Sequence, residues 1–378
     1  MIYYSVFFTS AFWSWASEVF FRNKSKFGGI LFSILAILCL SWLCGVRDLS
    51  IGTDVGVYGN QFFQMAAKSL NFSDYVNSLK GIYGASGATE YGYLFLNYIV
   101  SRITSNTHLF LFVIGLIVNG IIYSSIYLLR NQISLVLGWL TYCFLFFGTT
   151  LNLLRQSVAI SLVLLGVVLL YKKYVRKSLI IFILAILFHN SAVFALLIYF
   201  IGFLINKINL SYKIKRVLFI FTVFVVLMPQ IVGFLNTYGL LNDKYYQYVS
   251  DVSNGIGLNS ISIRLPMLLL IVFIIWHKRN NIDKYNLWLY VLVVQESLLI
   301  PLQSMGNTVA RLMLYFGIVK VIAYPMVLEE ITTKNRITLQ IIKLCYVLLL
   351  MLIFYEQTIV AGNNEIYPFV FFFFLFVD

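Results

Sequence analysis

Arg47, Arg155, Arg264 and Arg311 each stand at the end of an apolar run. A guanidinium presents a planar fork of donors that can hold phosphate oxygens two at a time. Four such groups in equivalent places point to an anionic ligand. The competing reading is that they snorkel to an interface or pair with nearby acids. Arg155 is the best placed of the four. It lies in Thr149-Thr150-Leu151-Asn152-Leu153-Leu154-Arg155-Gln156, where Asn152, Arg155 and Gln156 are spaced i, i+3, i+4. On a continuous helix they share one face, and a helix beginning nearby would add free backbone N–H groups to an anion site. His189 lies between two apolar half-runs. A neutral imidazole there can take a proton near neutral pH, or it can simply close a break between two helices. Asp54 and Glu90 fall in the long polar stretch that follows Arg47. Each is a candidate general base or hydroxyl acceptor, and a carboxylate near Arg47 could equally pair with it. No three His or Cys residues have zinc spacing. Gly81, Gly84 and Gly87 are not followed by the Lys-Ser/Thr of a phosphate loop. No metal or other cofactor is expected.

These groups must be held by apolar elements. Hydrophobic residues make up 61% of the 378 and charged residues only 11%, with a mean hydropathy of +0.90. A soluble globule needs about 25% charged residues. Apolar runs of membrane-crossing length recur along the whole chain. Backbone groups in lipid must be satisfied internally, so the crossings are helices or a closed barrel. Runs such as 162–171 lack the two-residue alternation of barrel strands. The sequence therefore predicts an all-α, polytopic transmembrane bundle forming a single membrane domain over 1–378. Twelve spans are expected: 2–21, 27–46, 108–129, 133–148, 156–171, 178–188, 191–205, 217–231, 264–277, 286–301, 312–328 and 339–355. The basic cluster Arg22, Lys24, Lys26 follows the first apolar stretch instead of preceding it, which predicts a retained first helix. Cys39, Cys44, Cys143 and Cys345 show no disulfide framework and are expected to face lipid or to pack.

The connecting segments alternate in charge. One set (22–26, 130–132, 172–177, 206–216, 278–285, 329–338, with Lys343) carries 18 Lys and Arg against 3 acids. The other (47–107, 149–155, 189–190, 232–264, 302–311, 356–378) carries 8 against 9. Lys and Arg collect in cytoplasmic loops, so the first set lies inside and both termini outside. The net charge of +13 is thus a topology signal and an attraction for anionic inner-leaflet lipid; it does not point to nucleic acid. Basic flanks on both sides of 178–205 require the chain to go out and return, turning at Phe188-His189-Asn190-Ser191. Loops 47–107 and 232–264 are outer loops, and Leu49–Leu79, with aromatics at Tyr58, Phe62, Phe63, Phe72 and Tyr75, is expected to supply interfacial helices. Glu18, Glu296 and Lys320 fall inside expected spans, where pairing across helices is expected.

Several of these segments resemble one family. Arg47…Gly52-Thr53-Asp54…Tyr58, Glu90-Tyr91-Gly92-Tyr93…Leu96-Asn97, Asn152-Leu153-Leu154-Arg155-Gln156-Ser157-Val158-Ala159, Leu187-Phe188-His189-Asn190-Ser191-Ala192, Arg311-Leu312…Tyr315-Phe316 and Asn363…Pro368 resemble, in order, elements of EpsG-like proteins. The likeness runs from about residue 2 to the end. One departure is Asn190, where many relatives carry Lys. The resemblance implies an exopolysaccharide or O-antigen polymerase of the Wzy type in the bacterial inner membrane. Such an enzyme is a glycosyltransferase that moves a sugar chain from undecaprenyl diphosphate onto the next lipid-linked unit, on the periplasmic face. Its partners are the lipid-linked oligosaccharide and membrane lipid, with room for a chain-length regulator protein. The expected roles are catalysis by His189, Asp54 or Glu90, and diphosphate binding by Arg155, Arg311, Arg47 and Arg264, supported by Asn152 and Gln156. Arginine can offset diphosphate charge, so no metal is required. A flippase of lipid-linked oligosaccharide and an O-antigen ligase are the alternatives. Sugar identity cannot be read, because fold and family do not fix substrate.

Overall fold

Apolar runs without proline make long helices, and the polar breaks between them set where the helices stop. The computed structural model describes residues 2–84, 89–207, 216, 219–220, 223, 263–278, 281–299, 307–331 and 335–372. The expected span 217–231 and nearly all of loop 232–264 lie outside the described residues. Every other expected span coincides with helix. Six stretches are long and apolar enough to cross a membrane: Lys26–Val46, Thr107–Leu128, Leu154–Tyr171, Asn190–Lys207, Arg311–Glu329 and Arg336–Val360. Leu135–Leu145 and Leu265–His277 are apolar but shorter. Among the described residues there is no strand, only an isolated bridge between Arg47 and Phe371.

The chain divides into two compact units. The first comprises residues 1–165, 183–190 and 333–378. Its helices are α1 (Ile2–Arg22), α2 (Lys26–Val46), α3 (Phe62–Lys68), α4 (Phe72–Tyr83), α5 (Tyr91–Ser101), α6 (Thr107–Leu128), α7 (Leu135–Leu145), α8 (Phe147–Asn152), the start of α9 (Leu154–Tyr171) and the end of α10 (Val175–Phe188). Hydroxyl and amide side chains join the apolar helices where lipid offers no partners. Ser10 donates to the Ala36 carbonyl and accepts from the Trp139 indole, both at 2.7 Å. Asn119 donates to Ser41 at 3.0 Å and accepts from Tyr142 at 2.6 Å, and Tyr142 meets Thr150 at 3.0 Å. This buried relay ties α2, α6, α7 and α8 together, and it ends beside the break between α8 and α9.

The segment between α2 and α6 carries a small core of its own. Phe62, Ala66, Tyr75, Val76, Leu79 and Leu94 are buried together, with Tyr58, Met65 and Phe72 against them. Several aromatics expected at an interface are therefore inward. The apolar groups this segment leaves exposed are others: Leu70, Ile82, Phe95, Ile99 and Ile103. Arg102 caps the C-terminal end of α3, donating to the carbonyls of Ser69 (3.0 Å) and Ala66, and its guanidinium lies over Tyr98.

The second unit comprises residues 166–182 and 191–332. Its further helices are α11 (Leu196–Lys207), α12 (Leu265–His277), α13 (Lys284–Leu299), α14 (Asn307–Gly317) and α15 (Lys320–Glu329). Gly202 brings α11 against Trp288. Glu296 pairs with Lys320 at 2.6 Å, so these two charges do meet across helices. The last long helix, α16 (Arg336–Phe354), returns to the first unit.

The charge alternation gives a prediction. In a background lacking the native cysteines, a cysteine at Leu70, which is 87% exposed, labels with an impermeant thiol reagent added outside intact cells. A cysteine at Asn131, exposed in the basic set, labels only after permeabilisation. The reverse pattern places every candidate residue on the cytoplasmic side.

Candidate functional site

The first unit places Glu90, Arg155 and His189 in contact. Glu90 immediately precedes α5, and its carbonyl accepts from the N–H groups of Tyr93 and Leu94. Its carboxylate is bound on both oxygens. Oε2 meets Nη1 of Arg155 at 2.5 Å, and Oε1 meets Nδ1 of His189 at 2.5 Å. The Asn190 backbone N–H reaches the same Oε1 at 3.3 Å, and the Asn190 carboxamide donates to Thr89 at 2.9 Å. The three charged or ionisable side chains are mostly buried, at 7%, 16% and 14% exposure.

Two glycines explain why these segments approach so closely. A Cβ on Gly92 would lie 2.9 Å from the Leu187 carbonyl oxygen, so only glycine lets the start of α5 pack on the end of α10. That contact sets Glu90 against His189. Gly52 has φ +91°, and a Cβ there would lie 2.8 Å from the Leu151 carbonyl oxygen and 2.9 Å from Asn152 Cα. An L side chain would be both strained and obstructed. The turn after α2 therefore lies directly on the α8–α9 break, where Thr53 N–H donates to Asn152 Oδ1 at 2.8 Å.

That break corrects one expectation. Leu153 has φ −95° and ψ 77° and ends α8; α9 begins at Leu154. Asn152 therefore belongs to one helix and Arg155 and Gln156 to the next, so the three do not share a continuous helical face. Asn152 receives the Thr53 turn, while Arg155 in the first turn of α9 reaches Glu90. The Tyr58 ring lies under the guanidinium, 3.3 Å from Cζ. Tyr58 is held in turn by Tyr93, whose hydroxyl donates to the Tyr58 carbonyl at 2.8 Å. In the sequence Tyr58 appears as one aromatic of Leu49–Leu79 and as the last residue of the Arg47…Tyr58 element, with no role at the site assigned; this contact gives it one.

The other candidates sit as follows. Arg47 is fully buried and donates through Nη1 to the Leu151 carbonyl; it braces the α8–α9 break from within. Asp54 is buried and precedes a π-helical turn, Val55–Gln61. Gln156 is buried at the start of α9. In the second unit, Arg264 Nη2 lies 3.9 Å from Glu296, and Arg311 is exposed on α14. Among the described residues, no group of three His, Cys, Asp or Glu side chains is placed to hold a metal ion.

The electrostatics of the cluster follow from its contacts. Burial by itself pushes the Glu90 carboxyl up. The His189 hydrogen bond, the Arg155 charge and the Asn190 N–H together outweigh it, and the group is held below the ordinary carboxylate value. Glu90 is therefore ionised at neutral pH. An ionised carboxylate can only accept, so His189 donates through Nδ1. In the neutral ring the lone pair is then on Nε2. Arg155 spends Nη1 on Glu90 and stacks on Tyr58, while its Nε is buried with no hydrogen-bond partner among the described residues. A buried donor left unmatched is a position where a bound oxygen can be accommodated.

The class is thus a helical membrane protein that carries a buried carboxylate–imidazole–guanidinium cluster in its first compact unit. A family model described as the EpsG family matches residues 30–371, and the chain belongs to that family. No curated protein and no solved structure matches the chain.

The cluster predicts an acid sensitivity. Glu90 titrates lower in the folded protein than in the unfolded chain, so its contribution to stability is present above the unfolded carboxylate value, near 4.5. That contribution is lost as pH falls through the lower folded value. Removing one partner of a buried ion pair costs about 3–5 kcal/mol. Glu90→Gln should therefore lower the thermal midpoint in detergent at pH 7 and flatten its decline as pH falls below the unfolded carboxylate value of 4.5. Equal midpoints and equal acid profiles for the two proteins would show that the pair contributes nothing.

Proposed function

We propose that the chain is a membrane polysaccharide polymerase. In this reading it transfers a sugar chain from undecaprenyl diphosphate to the next lipid-linked unit on the periplasmic face of the inner membrane. Family membership and the long apolar helices support a membrane polymerase. The single observation that carries the chemistry is the Glu90 carboxylate bridging Arg155 and His189. It sorts residues that the sequence leaves interchangeable. Glu90, with both oxygens engaged, is a positioning residue: it fixes the His189 tautomer and holds the Arg155 fork. His189 is the base.

The transfer then runs as follows. Nε2 of His189 takes the proton of the acceptor sugar hydroxyl. The hydroxyl oxygen forms a bond to the anomeric carbon of the donor chain. The bond from that carbon to the diphosphate oxygen breaks, and the lipid diphosphate leaves with the electron pair. Arg155 faces the oxygens that gain charge and offsets it electrostatically. The reading needs no metal for this step. Arg264 and Arg311 remain further candidates for contact with an anionic group, within the second unit. Arg47 is assigned to the scaffold, because it is buried against Leu151. Asp54 is the reserve proton acceptor.

Two substitutions test these roles in a strain deleted for the gene, by the length ladder of surface polysaccharide. His189→Gln keeps a hydrogen-bonding side chain but cannot take a proton. It should reach the membrane at normal levels and yield mostly single repeat units, with turnover down roughly 10²–10⁴-fold, the range of general base catalysis. A loss under about threefold with an unchanged pH profile would remove His189 as the base. Complete absence of product in the deletion strain, in place of single units, would favour the flippase or ligase reading.

Arg155→Lys keeps the charge but loses the planar fork that spans a carboxylate and a phosphate together. It should impair polymerisation nearly as much as Arg155→Ala, with normal membrane levels. Full activity of the lysine variant would reduce Arg155 to a general positive charge, and full activity of the alanine variant would take it out of the site.

A further inference from the structure

The most strained backbone described in the first unit is neither at the cluster nor explained by it. After α16 the chain continues through a π-helical turn, Tyr355–Val360, into the segment 361–367. Three residues there are left-handed: Gly362 (φ +66°), Asn364 (φ +68°) and Glu365 (φ +54°). Glycine adopts this region without cost and asparagine tolerates it. Glutamate does not, and such a residue persists only where its surroundings impose it.

The surroundings do impose it. Ile366 is fully buried, and its carbonyl accepts from Tyr3 at 2.6 Å. Asn364 and Ile366 pack on the bare Cα of Gly148 in α8. Backbone bonds join Asp48 to Val370 and Phe372 to Val46, both under 3 Å. The anchors hold the turn from both sides, and what the turn presents is polar. Asn363 and Glu365 are exposed, and so is the ring of Tyr367, at 50%.

Glu365 is also tied to the site. Its Oε2 accepts from the Thr53 hydroxyl at 3.0 Å, and Thr53 N–H binds Asn152, three residues before Arg155. The strained turn therefore docks on the same Gly52–Asn152 junction from which Arg155 reaches Glu90. Oε1 of Glu365 has no hydrogen bond among the described residues. No third His, Cys, Asp or Glu joins it there to make a cation site. A carboxylate oxygen, a hydroxyl that can accept once it has donated, a carboxamide and an open aromatic face together match a neutral polyhydroxylated ring. Such a ring offers O–H donors around its edge and C–H groups on its face.

We propose that the turn 361–367, with Thr53, is a binding subsite for the acceptor carbohydrate, in which Glu365 accepts sugar hydroxyls and Tyr367 stacks on a sugar face. The subsite rests on the polymerase reading for its substrate class but not on the role of His189. Substrate orientation explains why strain is held there, since a rigid loop loses no further freedom on binding.

The probe is the repeat-unit oligosaccharide, released from its lipid by mild acid from a strain deleted for this gene. Binding to the full chain in detergent is read by saturation-transfer NMR and titration. Wild type should bind it. Glu365→Gln, which can still accept from Thr53, should weaken binding about tenfold, the scale of a lost charged hydrogen bond; Tyr367→Ala should weaken it similarly. With the lipid-linked unit as substrate, Glu365→Gln should raise KM about tenfold and leave kcat within twofold, a split that a merely structural residue would not give. Oligosaccharide binding unchanged in both Glu365→Gln and Tyr367→Ala, or absent in wild type, overturns the proposal. His189→Gln should bind the oligosaccharide normally, so failure of the base assignment and failure of this subsite are separate results.

Discussion

The Glu90 carboxylate is the interaction on which the rest of the first unit depends. A carboxylate at this depth is tolerated only when each oxygen is satisfied. Its partners come from distant stretches of chain: the first turn of α9 supplies Arg155, and the end of α10 supplies His189 and the Asn190 N–H. The carboxylate therefore constrains three helix ends at once. Two of those ends are breaks in apolar helices, one at Leu153 and one after Phe188. Helix breaks in apolar surroundings leave polar backbone groups that need partners. Here the broken ends are also what brings ionisable side chains to one place.

Much of the supporting structure exists to let backbones approach. Gly52 and Gly92 stand where any side chain would strike a carbonyl. Arg47 donates to a carbonyl at the same break that receives Thr53. The polar relay from Ser41 through Asn119 and Tyr142 to Thr150 holds α8 from the other side. Each contact is modest by itself, since an internal hydrogen bond contributes about 0.5–1.5 kcal/mol. Together they fix the junction from several directions, so Arg155 is presented by a rigid frame.

The helices were legible because lipid demands continuous apolar runs, and the helix break at His189 because it falls at the one polar interruption between two apolar half-runs. A break between the spans 133–148 and 156–171 was expected, but its place at Leu153, which parts Asn152 from Arg155 and Gln156, was not legible. Thr149 to Gln156 contains neither glycine nor proline, and the spacing of Asn152, Arg155 and Gln156 fits a helix perfectly well. What breaks it is tertiary: the Gly52 turn occupies the Leu151–Asn152 backbone. The pairing of Glu90 with His189 was equally hidden, because nothing local relates positions 99 residues apart. Asp54 and Glu90 looked alike in sequence; they differ in what surrounds them once folded. The aromatics at Tyr58, Phe62 and Tyr75 carried the right composition for an interface, and burial in a small core of their own was decided by α3, α4 and α5 folding against one another.

A site for a charged leaving group faces opposite demands. A strongly cationic pocket binds the diphosphate product too well and binds donor and product alike, and uniform binding does not accelerate the chemical step. On the proposed reading the cluster avoids this because the Arg155 charge is already paired with Glu90 before the reaction. On the proposed reading, the proton taken from the acceptor hydroxyl stays on His189 while the bond to diphosphate breaks. The cluster then gains one positive charge as the leaving oxygen gains negative charge. Glu90 makes that gain favourable, since it is already aimed at Nδ1 and needs no reorganisation to stabilise an imidazolium. When the proton leaves, the added charge goes with it and the hold on the diphosphate weakens. On that reading one buried carboxylate, bound to both Arg155 and His189, sets the orientation of the base, the position of the guanidinium and the timing of the positive charge.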